Sequence, residues 1–584
     1  MSEWRNDGDK LIEFLKYLRN SKSRMVGFNN LHFDYPILHT IILTNGKISP
    51  DTIYRKCEAI IEAGNEETRS FTHLISPKDY FVDQLDLFKI HHFDNKARST
   101  SLKSLEFNMR ASSIQSLPFK VGKFLTREEV TVLKEYNAYD VFQTKKFYHE
   151  SLDMIRFREE LSIKHKRNFM NHNDTKIGKD FFISELEKSN ITCYTVQGNK
   201  RVPRGTKRPH LYLKDAILPK AIPLRPEFKE AVDFLVSQDI ASTKGVFKDL
   251  SVTINDFKFV LGVGGVHGSV KFKRISEDVE FEIIDLDVSS YYPNLAIKNK
   301  FFPEHLTSRF CEIYEDLYNQ RTKYKKNSAE NKMLKLALNG SYGDSNNKYS
   351  PLYDPLFTMK ITLNGQLFLC RLAEQLFQIP DLTLLQINTD GLTVKVRRSD
   401  RSKLEQVASW WENLTGLNLE WNYYKRMFIR DVNNYLAEYL NGEIKAKGAY
   451  DHELEWHQNH SNLVVPKIAQ QVLLYDKPIR DTLRSWKDPL DFMARAKVPR
   501  SSKLVYEGYT VTQLPNITRY YVSQEGGYLY KWMPPLEEFK QWRKMAICSG
   551  WKVLPCNELT ENEIYDFDYE YYAQEIEKLC LPLI

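Results

Sequence analysis

The stretch VEFEIIDLDVSSYYP, from Val279 to Pro293, is an apolar run that stops abruptly at acidic and hydroxyl side chains. Such a run reads as a strand of a buried sheet. Asp287 ends it, and a charged side chain is unfavourable there unless it meets a cation or solvent at the sheet edge. A second strand pair is expected in TLLQINTDGLTVKV, with its turn at Asn388 to Gly391. Its rigid backbone can project a carboxylate, that of Asp390. Taken singly, either aspartate reads more simply as a turn or surface residue.

Two helices are expected between these strands, near 308–326 and 328–342. In LYNQRTKYKKN, Arg321 and Lys325 stand four apart and would share a helical face; in MLKLALNGSYG, Lys335 and Asn339 repeat that spacing. Two such faces could grip a triphosphate, since Arg supplies planar forked donors and Lys a compact charge. For Arg321 and Lys325 alone, a solvated basic helix is the competing reading. Asn327 and Glu330 are expected to form a capping box for the second helix.

At 584 residues the chain is too long for one core, so several domains are expected. A formal charge of +7 is too small over this length to identify a polyanionic partner. The seven cysteines are scattered without a CxxC pair, which argues against a zinc or redox motif and fits a reducing cytosol. No apolar run approaches the roughly 20 residues needed to span a bilayer, and MSEWRNDGDK lacks signal-peptide character. A cytoplasmic chain with no membrane partner is expected.

In order, DVSSYYPN (287–294), KLALNGSYG (335–343) and INTDG (387–391) resemble motifs A, B and C of family B DNA polymerases. The resemblance implies an α/β and α+β multi-domain, right-hand architecture of palm, fingers and thumb. It makes Asp287 and Asp390 the catalytic metal ligands, assisted by the Val288 carbonyl, for two Mg²⁺ ions, with Mn²⁺ as a substitute. Arg321, Lys325, Lys335 and Asn339 would bind the nucleotide phosphates. Tyr292 would pack under the sugar and exclude a 2′ hydroxyl, with a core aromatic as the competing reading. Tyr342 would line the nascent base pair. The motif departs from the family at Asn388, where a second aspartate is usual; activity is expected to survive with altered metal preference.

RDVNNYLAEYLNGEIKAKGAY (430–450) resembles the primer-gripping segment, with Tyr435 in place but Asn433 and Asn434 where lysines often stand. LGVGGVHGS (261–269) resembles a glycine pair near the template strand, Gly264 and Gly265, with a plain tight turn as the alternative. The amino-terminal part resembles a ribonuclease-H-like 3′–5′ proofreading exonuclease. Asn30 and Asp34 match its second motif, Ser101 and Leu102 a single-strand contact, and Tyr136 and Asp140 its third motif. The first motif, an apolar strand bearing Asp-x-Glu, is absent, so a sheet edge should lie open. A late start, a split gene or a true loss would each explain it.

The expected segments are an exonuclease-like domain at 1–150, a connector at 151–275, palm at 276–307 and 345–450, fingers at 308–344, and a thumb at 451–584. The thumb would be helices joined by basic turns, with Lys497, Arg500 and Lys503 as phosphate contacts or a solvated loop. Short intervals between the motifs leave no room for protein-priming insertions, so an oligonucleotide primer is expected. The implied partners are primer–template DNA and deoxynucleoside triphosphates, with a helicase, a single-strand-binding protein or a separate amino-terminal exonuclease fragment as further candidates. Compact spacing points to a bacteriophage replicase in its host's cytoplasm. The rival reading is a non-catalytic DNA-binding replication accessory, favoured by Asn388 and disfavoured by Asp287, Asp390, Arg321 and Lys335 together.

Overall fold

The computed structural model describes residues 7–65, 71–198, 200–326, 328–535, 541–560 and 564–584. Two compact units divide the chain. The first takes Met1–Asp174, Leu454–Ser461 and Met493–Asp566; the second takes Thr175–Glu453, Asn462–Phe492 and Phe567–Ile584. These units cut across the segments read from the sequence, because residues 151–275 and 451–584 are each distributed between both.

The first unit opens with a helix, Gly8–Asn20, that buries Ile12 and Leu15 from one face against Val82. Strand Arg24–Gly27 pairs in parallel with Asp83–Asp86. The far edge of the second strand is closed by a side chain: the Asn171 amide donates to the Gln84 carbonyl and accepts from the Asp86 N–H, both at 2.8 Å. Arg24–Gly27 has no other strand partner among the described residues. Later in the chain this unit contains a six-stranded antiparallel sheet built around the 17-residue strand Ile517–Met533. The expectation of helices and basic turns after residue 451 is corrected here. ITRYYVSQEGGYLYKWM is dense in aromatic and β-branched residues, which favour a pleated, half-buried surface.

The second unit is organised by a ten-stranded antiparallel sheet. Its strands are β1 Ser251–Ile254, β2 Phe257–Gly262, β3 Gly265–Ser269, β4 Lys273–Ser276, β5 Phe281–Val288, β6 Thr383–Asn388, β7 Gly391–Arg397, β8 Leu419–Asp431, β9 Asn434–Tyr439 and β10 Ile444–Lys447. They lie in the order β10-β9-β8-β5-β7-β6-β3-β2-β1, with β4 paired to β8. The sheet thus begins inside the stretch read as an unpatterned connector. In β2 the apolar residues Phe257, Phe259 and Leu261 are buried while Lys258 and Val260 are exposed, a period-two pattern six residues long.

Helices α1 Tyr291–Asn299, α2 Arg309–Lys323, α3 Ala329–Asp344 and α4 Pro355–Leu376 follow β5. The α3 cap is Ser328, whose hydroxyl accepts from the Asn331 N–H at 3.3 Å; Asn327, expected in that role, lies outside the described residues. No helix of the described residues is long and apolar enough to cross a membrane.

Candidate active site

Asp287 and Asp390 are about a hundred positions apart in sequence, and the sheet brings them together. β5 lies between β7 and β8, and Asp287 is in register with Gly391, the residue after Asp390. The Val288 N–H donates to the Asp390 carbonyl at 2.8 Å, tying the end of β5 to the β6–β7 turn. Both aspartates line a cleft of about 350 Å³ with Asn388, Asp285, Tyr424, Tyr435 and Lys445.

The turns that hold them are strained. Thr389 has φ 61° and Ser290 φ 47°, left-handed values that non-glycine residues seldom adopt and that concentrate at functional sites. Thr389 is fixed by its N–H donating to the Val266 carbonyl at 3.0 Å and by a hydroxyl contact with His267 Nε2 at 3.0 Å. Two glycines permit this crowding. A Cβ on Gly265, whose φ is 133°, would lie 3.0 Å from Thr389 Cα, so the β2–β3 turn meets the β6–β7 turn at backbone distance. A Cβ on Gly391 would lie 2.2 Å from Asp287 Oδ1 and 2.8 Å from the Leu286 carbonyl oxygen. Gly391→Ala is therefore expected to displace the Asp287 carboxylate and destabilise the chain by about 1–3 kcal/mol. A thermal melt and a primer-extension assay on that variant check this.

Burial, and then the negative charges of Asp285 and Asp390, push the Asp287 carboxyl up to about 7. Asp285 was missed by the sequence reading. It stands two residues before Asp287, hence on the same face of β5, and it is buried. Thr393 Oγ1 donates to Asp285 Oδ1 at 2.6 Å and Tyr424 Oη donates to Oδ2 at 3.0 Å. The Lys445 ammonium sits 3.7 Å from Oδ2 and donates to Tyr424 Oη at 3.0 Å. Burial works against the Lys445 charge, but Asp285 chiefly, helped by Asp287, outweighs it and holds the ammonium above its usual range. The Asp-x-Asp spacing at the end of an apolar strand was the signal that could have found Asp285. Tyr435, expected beside the primer, lies buried against the same cleft.

The residues expected to meet a nucleotide gather in part. Arg321 reaches back from α2 and donates to Ser290 Oγ at 3.1 Å, while its buried Nε has no hydrogen-bond partner. Lys325 does not share that helical face. The helix ends at Lys323 because Tyr324 turns extended and the Asn331 amide caps the Arg321 carbonyl at 3.1 Å. Lys335 and Asn339 are both exposed on α3. Tyr292 and Tyr342 stack with ring centres 4.5 Å apart, and Tyr292 Oη donates to the Gly264 carbonyl at 2.9 Å. Tyr292, Tyr342 and the glycine pair thus form one wall.

In the first unit, Ser101 caps the helix Leu102–Asn108, and Tyr136 and Asp140 lie one turn apart on the helix Arg127–Glu150. Lys103 joins them: its ammonium pairs with Asp140, lies 3.0 Å from Glu106 and sits 4.8 Å above the Tyr136 ring. Asn30 is buried and donates to Gln84 Oε1 at 3.1 Å, and Asp34 begins the helix Asp34–Leu43. No hydrogen bond or ion pair links Asn30 or Asp34 to the Lys103 cluster among the described residues. A second missed carboxylate, Asp86, is fully buried and accepts the N–H groups of Asn29, Leu31 and Phe88, which fastens the loop carrying Asn30. Lys497, Arg500 and Lys503 are exposed and belong to this same unit. Lys503 lies 4.7 Å over the Trp542 ring.

Among the described residues no three His, Cys, Asp or Glu side chains form a ready metal cage. The cleft nevertheless suits a divalent cation, because Asp285, Asp287 and Asp390 bring three like charges together in it, against two lysines, Lys445 and Lys447, the first already paired with Asp285. Mg²⁺ is commonly held in this way, by one or two carboxylates together with substrate phosphates and water.

No family model matches the chain, and no curated protein matches it in sequence. Among solved structures the chain is similar to the family B DNA polymerase from the hyperthermophilic archaeon Pyrobaculum calidifontis, with a TM-score of 0.41 and 13% identity, over 98% of this chain and 71% of that one. A likeness of that depth carries no inference about chemistry.

Proposed function

We propose that the chain is a DNA-templated DNA polymerase that extends an oligonucleotide primer. The observation that carries this reading is the convergence of Asp287 and Asp390 on one cleft, through the Val288 to Asp390 hydrogen bond and the register of β5 with β7. A primer 3′ hydroxyl and the α-phosphate of a deoxynucleoside triphosphate would meet between the two carboxylates. Two Mg²⁺ ions, or Mn²⁺ in their place, held by Asp287, Asp390 and the Val288 carbonyl, would activate that hydroxyl and neutralise the departing pyrophosphate. The half-satisfied Arg321 guanidinium, with Lys335 and Asn339 on the next helix, would grip the triphosphate. Tyr292, braced by Gly264, would form the floor under the sugar.

In this reading β5 to β10 with α4 serve as the palm and α2 with α3 as the fingers. Lys497, Arg500 and Lys503 remain phosphate-contact candidates. A bacteriophage source and helicase or single-strand-binding partners belong to the same reading. A labelled primer on a DNA template, with Mg²⁺ and all four deoxynucleotides, is expected to lengthen to the template end. Absence of extension by a folded chain that binds the duplex would favour the accessory role instead.

Proofreading is not expected. The Lys103 ammonium already pairs with Asp140, and among the described residues no hydrogen bond or ion pair joins Asp140 to Asn30 or Asp34. A 3′-labelled single strand incubated with the chain and Mg²⁺ should therefore stay intact while extension proceeds in a parallel tube. Robust 3′ to 5′ shortening would refute this.

A further inference from the structure

Asp285 differs from its neighbour Asp287 in one respect that matters: both of its oxygens already accept from protein donors. Thr393 Oγ1 holds Oδ1, and Tyr424 Oη together with the Lys445 ammonium holds Oδ2. Its charge is therefore committed to Lys445 and is poorly placed to ligate anything in the cleft. Tyr424 completes a short relay, donating to Asp285 and accepting from Lys445. A lysine stem is flexible and loses rotamer entropy when fixed. Here the fixing is done in advance, by a buried strand residue on β5 and a buried tyrosine on β8.

We propose that Asp285 is a positioning residue that holds the Lys445 ammonium against the cleft wall to receive a phosphate of the primer's 3′ end. This rests on the polymerase reading, which puts the primer terminus between Asp287 and Asp390.

The test is a double-mutant cycle on duplex binding, read by fluorescence anisotropy with a labelled primer–template in EDTA, so that neither chemistry nor cations contribute. Asp285→Asn and Lys445→Gln are each expected to weaken binding about tenfold and to lower the slope of log K against log salt by about one phosphate contact. The double variant should bind no more weakly than either single one, since the two residues act as a unit. Tyr424→Phe, which keeps both charges, should fall between, and combined with Lys445→Gln should add nothing; this pair serves if Asp285→Asn does not fold. Losses that simply multiply, or an Asp285→Asn chain with wild-type affinity, would overturn the proposal. Failure of the polymerase reading looks different: a wild-type chain that binds duplex but never extends it, whatever the cycle gives.

Discussion

Replacing Asp390 or Asp287 by asparagine is expected to slow primer extension by at least about a thousandfold, some 4 kcal/mol of lost transition-state stabilisation, while leaving the chain as stable or more so. The two effects have opposite signs for one reason. Asp287 is half-buried and its carboxyl is pushed up to about 7 by that partial burial and by Asp285 and Asp390, so its ionised form is unfavourable in the folded chain without a cation. Asparagine is nearly isosteric and keeps hydrogen-bonding capacity but removes the repulsion. A residue selected for chemistry rather than stability behaves this way. Single-turnover extension at saturating Mg²⁺, beside thermal melts in EDTA, reads both quantities. Extension within tenfold of wild type for both variants would remove the two aspartates from the chemistry.

The parts of this site that were legible in the sequence share a physical character. Asp287 was visible because an apolar strand ending in a charge is energetically unusual, and Asp390 because a tight turn between strands is written in Asn388 to Gly391. The boundaries of α2 and α3 followed from periodicity, to within a few residues. What escaped was set by tertiary contact. Lys325 falls off the helix because Asn331, from the next helix, takes the carbonyl of Arg321. Asp285 and Lys445 lie on strands that meet only through the sheet, with β8 and β9 between β5 and β10. β1 to β4 were lost in a connector because three of them are only four or five residues long, and the alternation in β2 spans just six.

The cation requirement should depend on pH in a direction fixed by Asp287. Its folded-state value, about 7, lies above the ordinary carboxylate range, so the proton is retained to higher pH than in the unfolded chain. A divalent cation binds only the ionised form, and must displace that proton below about pH 7. If one proton is displaced, the half-saturating cation concentration should be about tenfold higher at pH 6 than at pH 8 and nearly level above pH 8. Nucleotide phosphates titrate in the same window, so the measurement is made without nucleotide, by Mn²⁺ titration followed by electron paramagnetic resonance. The same linkage acts on folding. In EDTA, the contribution of Asp287 is most favourable when it is protonated in both states, and is lost as pH rises from the unfolded value towards about 7. Mg²⁺ should therefore raise the melting temperature more at pH 8 than at pH 6, and Asp287→Asn should abolish that difference. A Mn²⁺ affinity that does not change between pH 6 and pH 8 would mean that Asp287 is already ionised at pH 6. The cleft would then be better hydrated than its burial implies, and the repulsion assigned to Asp285 and Asp390 would be absent.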